Sequence, residues 1–366
     1  MIELVTKSAI IFAFSFTISG LIYLSRIRLF DTFRRRQDDR AKQASHFGLV
    51  PRIGGIAIVT ALVLGALMWF KDPTNTSTYA RFLLTLVPIF FVGLLEDLGY
   101  FTSPRARLLA AAVSGAFYVL LFQQWLPRVD IPGIDWLLGF SPFAIPFSIF
   151  AAVGVSHAFN LIDGLNGLAS GTAVAAALAL AIMAHNVGLV THRDALLLLV
   201  VAISGFLALN FPFGLIFLGD GGAYAIGHVL VWVGITMVWD TPRITAFAVL
   251  LVFFWPVADT LLAMSRRALT GKAVGQPDRL HFHQLAMRSL EILLIGRNRR
   301  ELANPLTTVI LLPLIVAPMV VGVFLAQNAR LAALAAALFA ASFVLKYFLL
   351  LRFVRKHWYR GRNRRR

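Results

Sequence analysis

Eleven long apolar runs decide what this chain can become. They fall at about 2–24, 53–70, 81–97, 106–126, 143–160, 166–184, 194–213, 222–239, 244–264, 305–325 and 331–351. A bilayer core about 30 Å thick takes roughly 20 apolar residues of helix, because a helix satisfies its own backbone polar groups where water is absent. Composition agrees: 14% of residues are charged, against about 25% in ordinary soluble domains, too few to cover a water-facing surface. The expected fold is an all-α polytopic membrane bundle of about 11 transmembrane helices. The fifth run, interrupted by Pro142 and Pro146, is the weakest of the set.

Orientation follows from where Lys and Arg collect. Arg26, Arg28, Arg34, Arg35, Arg36, Arg40, Lys42 and Arg52 follow the first run, and Arg105 and Arg107 follow the third. Another basic group runs from Arg266 to Arg300, and residues 352–366 form a basic tail. The alternate loops hold only scattered basic residues, so the N-terminus is expected outside and the C-terminus in the cytoplasm. The net charge of +17 then reads as topology plus attraction to anionic lipid and phosphorylated substrates, not as nucleic-acid binding. With no cysteine, disulfides, thiolate metal sites and Cys nucleophiles are excluded. The first apolar run lacks a basic leader and a small-residue cleavage site, so it reads as a span. The expected organisation is one transmembrane domain over 1–351, with active-site loops at 25–52, 96–107, 160–167, 213–222 and 265–304.

This topology places every polar motif on one side. Glu96-Asp97 ends the third run, where carboxylates oppose the helix dipole and are costly at membrane depth; they supply a metal ligand or a general base. Asn160-Leu-Ile-Asp163-Gly-Leu-Asn166-Gly offers oxygen ligands for a hard cation, or donors and acceptors for a base or ribose. Asp220, set between glycines, is placed either to cap a helix or to hold Mg²⁺ beside a diphosphate. His281 and His283, beside Arg279, have poor spacing for zinc and better chemistry for cradling phosphate. Arg105 and Arg107 are divided between topology signal and phosphate contact. His46 and His157 fit no pattern and read as structural or surface residues. Carboxylates and amides for Mg²⁺, basic groups for phosphate and an apolar surround suit phosphoryl transfer from a soluble donor to a lipid acceptor.

The motifs resemble those of the polyprenyl-phosphate N-acetylhexosamine-1-phosphate transferases, glycosyltransferase family 4. The resemblance rests on Pro51-Arg-Ile-Gly54-Gly55, on Glu96-Asp97 followed by Ser103-Pro-Arg105, and on Asn160 to Gly171. It continues through Ile216-Phe-Leu-Gly219-Asp220-Gly-Gly-Ala-Tyr224 and Pro277-Asp278-Arg279-Leu-His281-Phe-His283. It runs over nearly the whole chain. What it implies is a Mg²⁺-dependent inner-membrane enzyme (Mn²⁺ a substitute) with a cytoplasmic site. Such an enzyme moves a sugar 1-phosphate from a UDP-N-acetylhexosamine to undecaprenyl phosphate and releases UMP. Carried over by position, Asn160 and Asp220 are metal ligands, and Asp97, Glu96, His281 and His283 are catalytic. Asp163, Asn166, Arg105 and Arg279 bind substrate. Three positions depart from the family pattern: Glu96 stands where it has Asp, Gln284 where it has His, and Arg105 where it has Lys.

These departures favour initiation of a surface polysaccharide, O-antigen or teichoic-type polymer over the peptidoglycan branch. A homodimer is compatible with this reading. The rival is a lipid or polysaccharide transporter, which would place its charged groups near the bilayer midplane.

Overall fold

The computed structural model describes residues 2–33, 50–69, 72–271, 280–296 and 299–363. Among them every regular element is helical. Eight helices are long and apolar enough to cross a membrane: Val5–Leu24, Pro104–Phe122, Ser141–Ile162, Leu168–Val187, Val190–Asn210, Gly219–Asp240, Arg300–Phe324 and Ala329–His357. Two further spans are broken. Pro73–Thr85 meets Val87–Asp97 at 46°, and Ala246–Val252 meets Phe254–Leu269 at 80°. The run at 53–70 yields only Gly55–Met68, about 21 Å of helix at 1.5 Å per residue. All eleven apolar runs are therefore helical, and eight to ten of them qualify as spans.

Local chemistry explains where the helices differ from expectation. The fifth run is one continuous helix: Pro142 sits in the first turn, where its missing N–H costs nothing, and Pro146, although inside the helix, does not interrupt it. The ninth run, expected as one span, turns sharply at Phe253, three residues before Pro256. The last helix runs unbroken from Ala329 to Asn363, so 351 is not a structural boundary between domain and basic tail.

The Gly219–Asp240 helix is the axis of the bundle and is buried along its whole apolar length. In lipid, close helix packing depends on small residues. A Cβ on Gly227 would lie 2.7 Å from Ser156 Cα, so the axial helix and Ser141–Ile162 touch backbone to backbone there. At the end of the bundle away from Asp220, Arg128 donates to the carbonyls of Val238, Thr241 and Ile244 at 2.9–3.0 Å, closing the axial helix with the cation its C-terminal dipole favours.

Candidate active site

At the opposite end, loops far apart in sequence are laced together by backbone hydrogen bonds. Phe217 N–H donates to Pro51 O at 2.8 Å, and Gly54 and Gly55 N–H donate to Phe217 and Leu218 O, both at 2.9 Å. The Pro51-to-Gly55 segment thus docks on the strand-like stretch that delivers Asp220.

Asp97 completes this junction. The Asp220 N–H donates to its Oδ1 at 2.8 Å and the Gly221 N–H to its Oδ2 at 2.9 Å. These donors belong to the first turn of the axial helix, which has no internal partners for them and whose dipole favours a negative charge. Both Asp97 oxygens are engaged and the side chain is 6% exposed. Asp97 therefore braces the helix that carries Asp220. Two glycines permit the approach. A Cβ on Gly93 would lie 2.6 Å from the Gly221 backbone, and one on Gly219, held at φ 77°, would collide with Arg52 O.

The Asp220 carboxylate faces Arg107, whose Nη1 lies 3.2 Å from Oδ2 and 4.0 Å from Glu96 Oε1. Glu96 accepts from both the Thr102 N–H at 3.0 Å and the Thr102 hydroxyl, fixing the turn into the Pro104–Phe122 helix. Arg107, not Arg105, enters this acidic pocket. Residues two apart on a helix point about 200° apart, and Arg105 is exposed. His157 is also drawn in: its ring lies 4.8 Å from that of Tyr224, within electrostatic reach of Arg107 and Asp220. It sits three residues before Asn160, on the same helix face, and that spacing is the signal that could have found it.

Asn160 is half-buried at the end of its helix and its carbonyl accepts the Asp163 N–H. Burial pushes the Asp163 carboxyl up to about 7; nearby Arg52 opposes the shift and Asp220 adds to it. The structure puts Asn166 to a different use than the substrate contact expected for it. Its amide donates to Pro212 O at 2.9 Å, its N–H donates to Asn304 Oδ1 at 2.8 Å, and its carbonyl accepts from Thr308. With Gly167 N–H donating to Asn210 Oδ1 at 2.7 Å, this buried set fastens the loop. An Asn in a glycine-rich turn reads the same way in sequence whether it faces a ligand or a carbonyl.

The histidines are organised by a residue the sequence hid. Asp259, buried in the Phe254–Leu269 helix, accepts from Phe282 N–H at 3.0 Å and lies 3.1 Å from His281 Nδ1 and 3.8 Å from His283 Nδ1. A carboxylate only accepts, so Nδ1 of His281 carries the proton and Nε2 is the nitrogen it presents. Burial lowers the His283 pKa, against the pull of Asp259. A Cβ on Gly164 would strike His283 Nε2, so the His283 imidazole reaches the 160–167 loop. Among the described residues no bond joins them directly to Asp97 or Asp220. Arg279 lies outside the described residues, as do His46 and most of the 25–52 loop.

No three His, Cys, Asp or Glu side chains among the described residues form a ready metal cage. Magnesium seldom uses one; it takes one or two carboxylates and completes its shell with water and substrate phosphate. Asp220, with Glu96 across the Arg107 guanidinium, fits that habit.

Residues 79–238 match the model of glycosyl transferase family 4. Over that segment the chain is similar to that family. Three of the five motifs lie inside the matched segment. A probable undecaprenyl-phosphate N-acetylglucosaminyl 1-phosphate transferase of Bacillus subtilis (strain 168) is 27% identical over 254 residues, covering 68% of this chain and 69% of the relative. A phospho-N-acetylmuramoyl-pentapeptide-transferase of Clostridium perfringens (strain 13 / Type A) is 29% identical over 253 residues, covering 66% and 78%. An undecaprenyl-phosphate alpha-N-acetylglucosaminyl 1-phosphate transferase of Escherichia coli (strain K12) is 26% identical over 253 residues, covering 67% of each chain. The likeness therefore covers about two thirds of the chain, less than its motifs suggested. The relatives are named as transferases of N-acetylglucosaminyl 1-phosphate or of phospho-N-acetylmuramoyl-pentapeptide, and Asp97, Asn160, Asp163 and Asp220 of this multi-pass helical chain lie within the segment that matches the family model.

Proposed function

We propose that the protein transfers an N-acetylhexosamine 1-phosphate from a UDP-sugar to undecaprenyl phosphate at the cytoplasmic face of the bacterial inner membrane. The observation that carries this reading is the Asp97–Asp220 junction, where a carboxylate is held at a braced helix N-terminus beside a second acid and an arginine. An oxygen of the lipid phosphate attacks the donor β-phosphorus, the bond to the bridging oxygen breaks, and UMP leaves with that oxygen. Asp220 with Asn160 would hold Mg²⁺, which would supply charge neutralisation on the phosphate oxygens. Asp97 fixes the position of Asp220, and Glu96 fixes the turn beside it. Asp163 borders the donor pocket, and His281, through Nε2, contacts phosphate, with Arg279 and His283 beside it. Arg105 faces the headgroup layer.

The product is the lipid-linked first sugar of a surface polysaccharide of the O-antigen or teichoic kind. A panel of radiolabelled UDP-sugars, supplied with undecaprenyl phosphate and Mg²⁺, tests the reading: one should yield a lipid-linked label with equimolar UMP. Movement of a lipid or sugar across vesicles with no nucleotide product would instead support the transporter. The charged groups gathered at one end of the bundle favour transfer.

A further inference from the structure

The position of Arg107 carries a consequence for the site's affinity for metal. Its guanidinium lies between two carboxylates, with Nη1 3.2 Å from Asp220 Oδ2 and 4.0 Å from Glu96 Oε1. The backbone that carries Asp220 is held in place, because the N–H groups of Asp220 and Gly221 donate to Asp97. Glu96 is similarly held by Thr102. The Asp220 backbone and the Glu96 carboxylate are thus anchored, and the arginine is the member of the group with the longest rotatable stem.

We infer that Arg107 and a divalent cation compete for the Asp220 carboxylate, so that Arg107 sets the metal affinity of the site. This rests on the proposed assignment of Asp220 as a metal ligand. A like charge a few ångströms from a divalent cation in a half-buried pocket is strongly repelled. Binding the metal therefore requires the guanidinium to leave Oδ2. Once displaced, it remains within the pocket as a cation available to phosphate, with the bidentate geometry that arginine brings to such oxygens. The competition keeps the acids neutralised in pairs and ties tight metal binding to the arrival of an anionic donor, which gives the displaced arginine a new partner.

Magnesium titration followed by thermal shift, on purified full-length protein in detergent, tests this without turnover. Arg107→Gln should bind Mg²⁺ at least about tenfold more tightly than wild type, because a competing charge is gone. An unchanged or weaker affinity overturns the inference. In the wild-type protein Mg²⁺ should also speed phenylglyoxal labelling of Arg107, read by mass spectrometry; labelling that is constant or slower overturns it too, and needs no variant to fold. Asp220→Asn should abolish the Mg²⁺ shift. A wild-type protein with no Mg²⁺ shift would sink the metal assignment itself, whereas a normal wild-type shift that Arg107→Gln leaves unaltered would sink only the competition.

Discussion

Both carboxylate oxygens of Asp97 are spent on the first turn of the helix that begins at Asp220, one on the Asp220 N–H and one on the Gly221 N–H. Asp97 thereby holds the helix start that carries Asp220. Asp97→Asn keeps the shape but sets an NH₂ against a backbone donor. We expect it to lower stability by about 1–3 kcal/mol and UMP release by at least tenfold, measured by thermal unfolding in detergent and by nucleotide assay. Wild-type stability would contradict the bracing role.

Gly219 stands where a side chain would meet both Arg52 O and the Asp97 carboxylate, at a positive φ. Gly219→Ala should therefore separate the two acids. Loss of activity with the membrane-inserted protein still present by immunoblot is the expected outcome.

Asp259 orients His281 through Nδ1. Asp259→Asn offers an amide N–H in place of an acceptor and reverses the favoured tautomer. Turnover should fall roughly 10- to 100-fold with the melting temperature little changed, by analogy with other carboxylate–imidazole pairs. Nitrogen-15 spectra of labelled histidine should show the proton moving from Nδ1 to Nε2.

The Asp163 carboxyl sits at about 7 in the folded chain, above its ordinary 3.8. The folded state holds this proton more tightly, so the stability it contributes is full below 3.8 and is lost as pH rises through about 7. Asp163→Asn cannot ionise. The melting temperature of wild type relative to that variant should fall between pH 5 and pH 8; a constant difference would contradict the buried carboxyl.

Much of this was legible in the residues. The apolar runs located every long helix, since length and hydropathy are all that a span requires. Asp97, Asp163 and Asp220 stood out because a carboxylate beside apolar residues needs a reason. What the residues could not show were choices made by packing. Asp259 lies inside an apolar run and looks like an isolated polar residue until Phe282 and His281 close on it. Arg107 and Arg105 differ only in helix face. The 80° turn at Phe253 has Pro256 as its one local signal, and prolines within other runs, such as Pro146, leave their helix continuous.

The most direct measurement supplies membranes containing the protein with undecaprenyl phosphate, Mg²⁺ and UDP-sugar labelled in both the sugar and the uridine. The account predicts lipid-linked sugar and UMP in equal amounts from wild type, and neither from Asp220→Ala. Sugar transferred at the wild-type rate by Asp220→Ala, or UDP released in place of UMP, would contradict it.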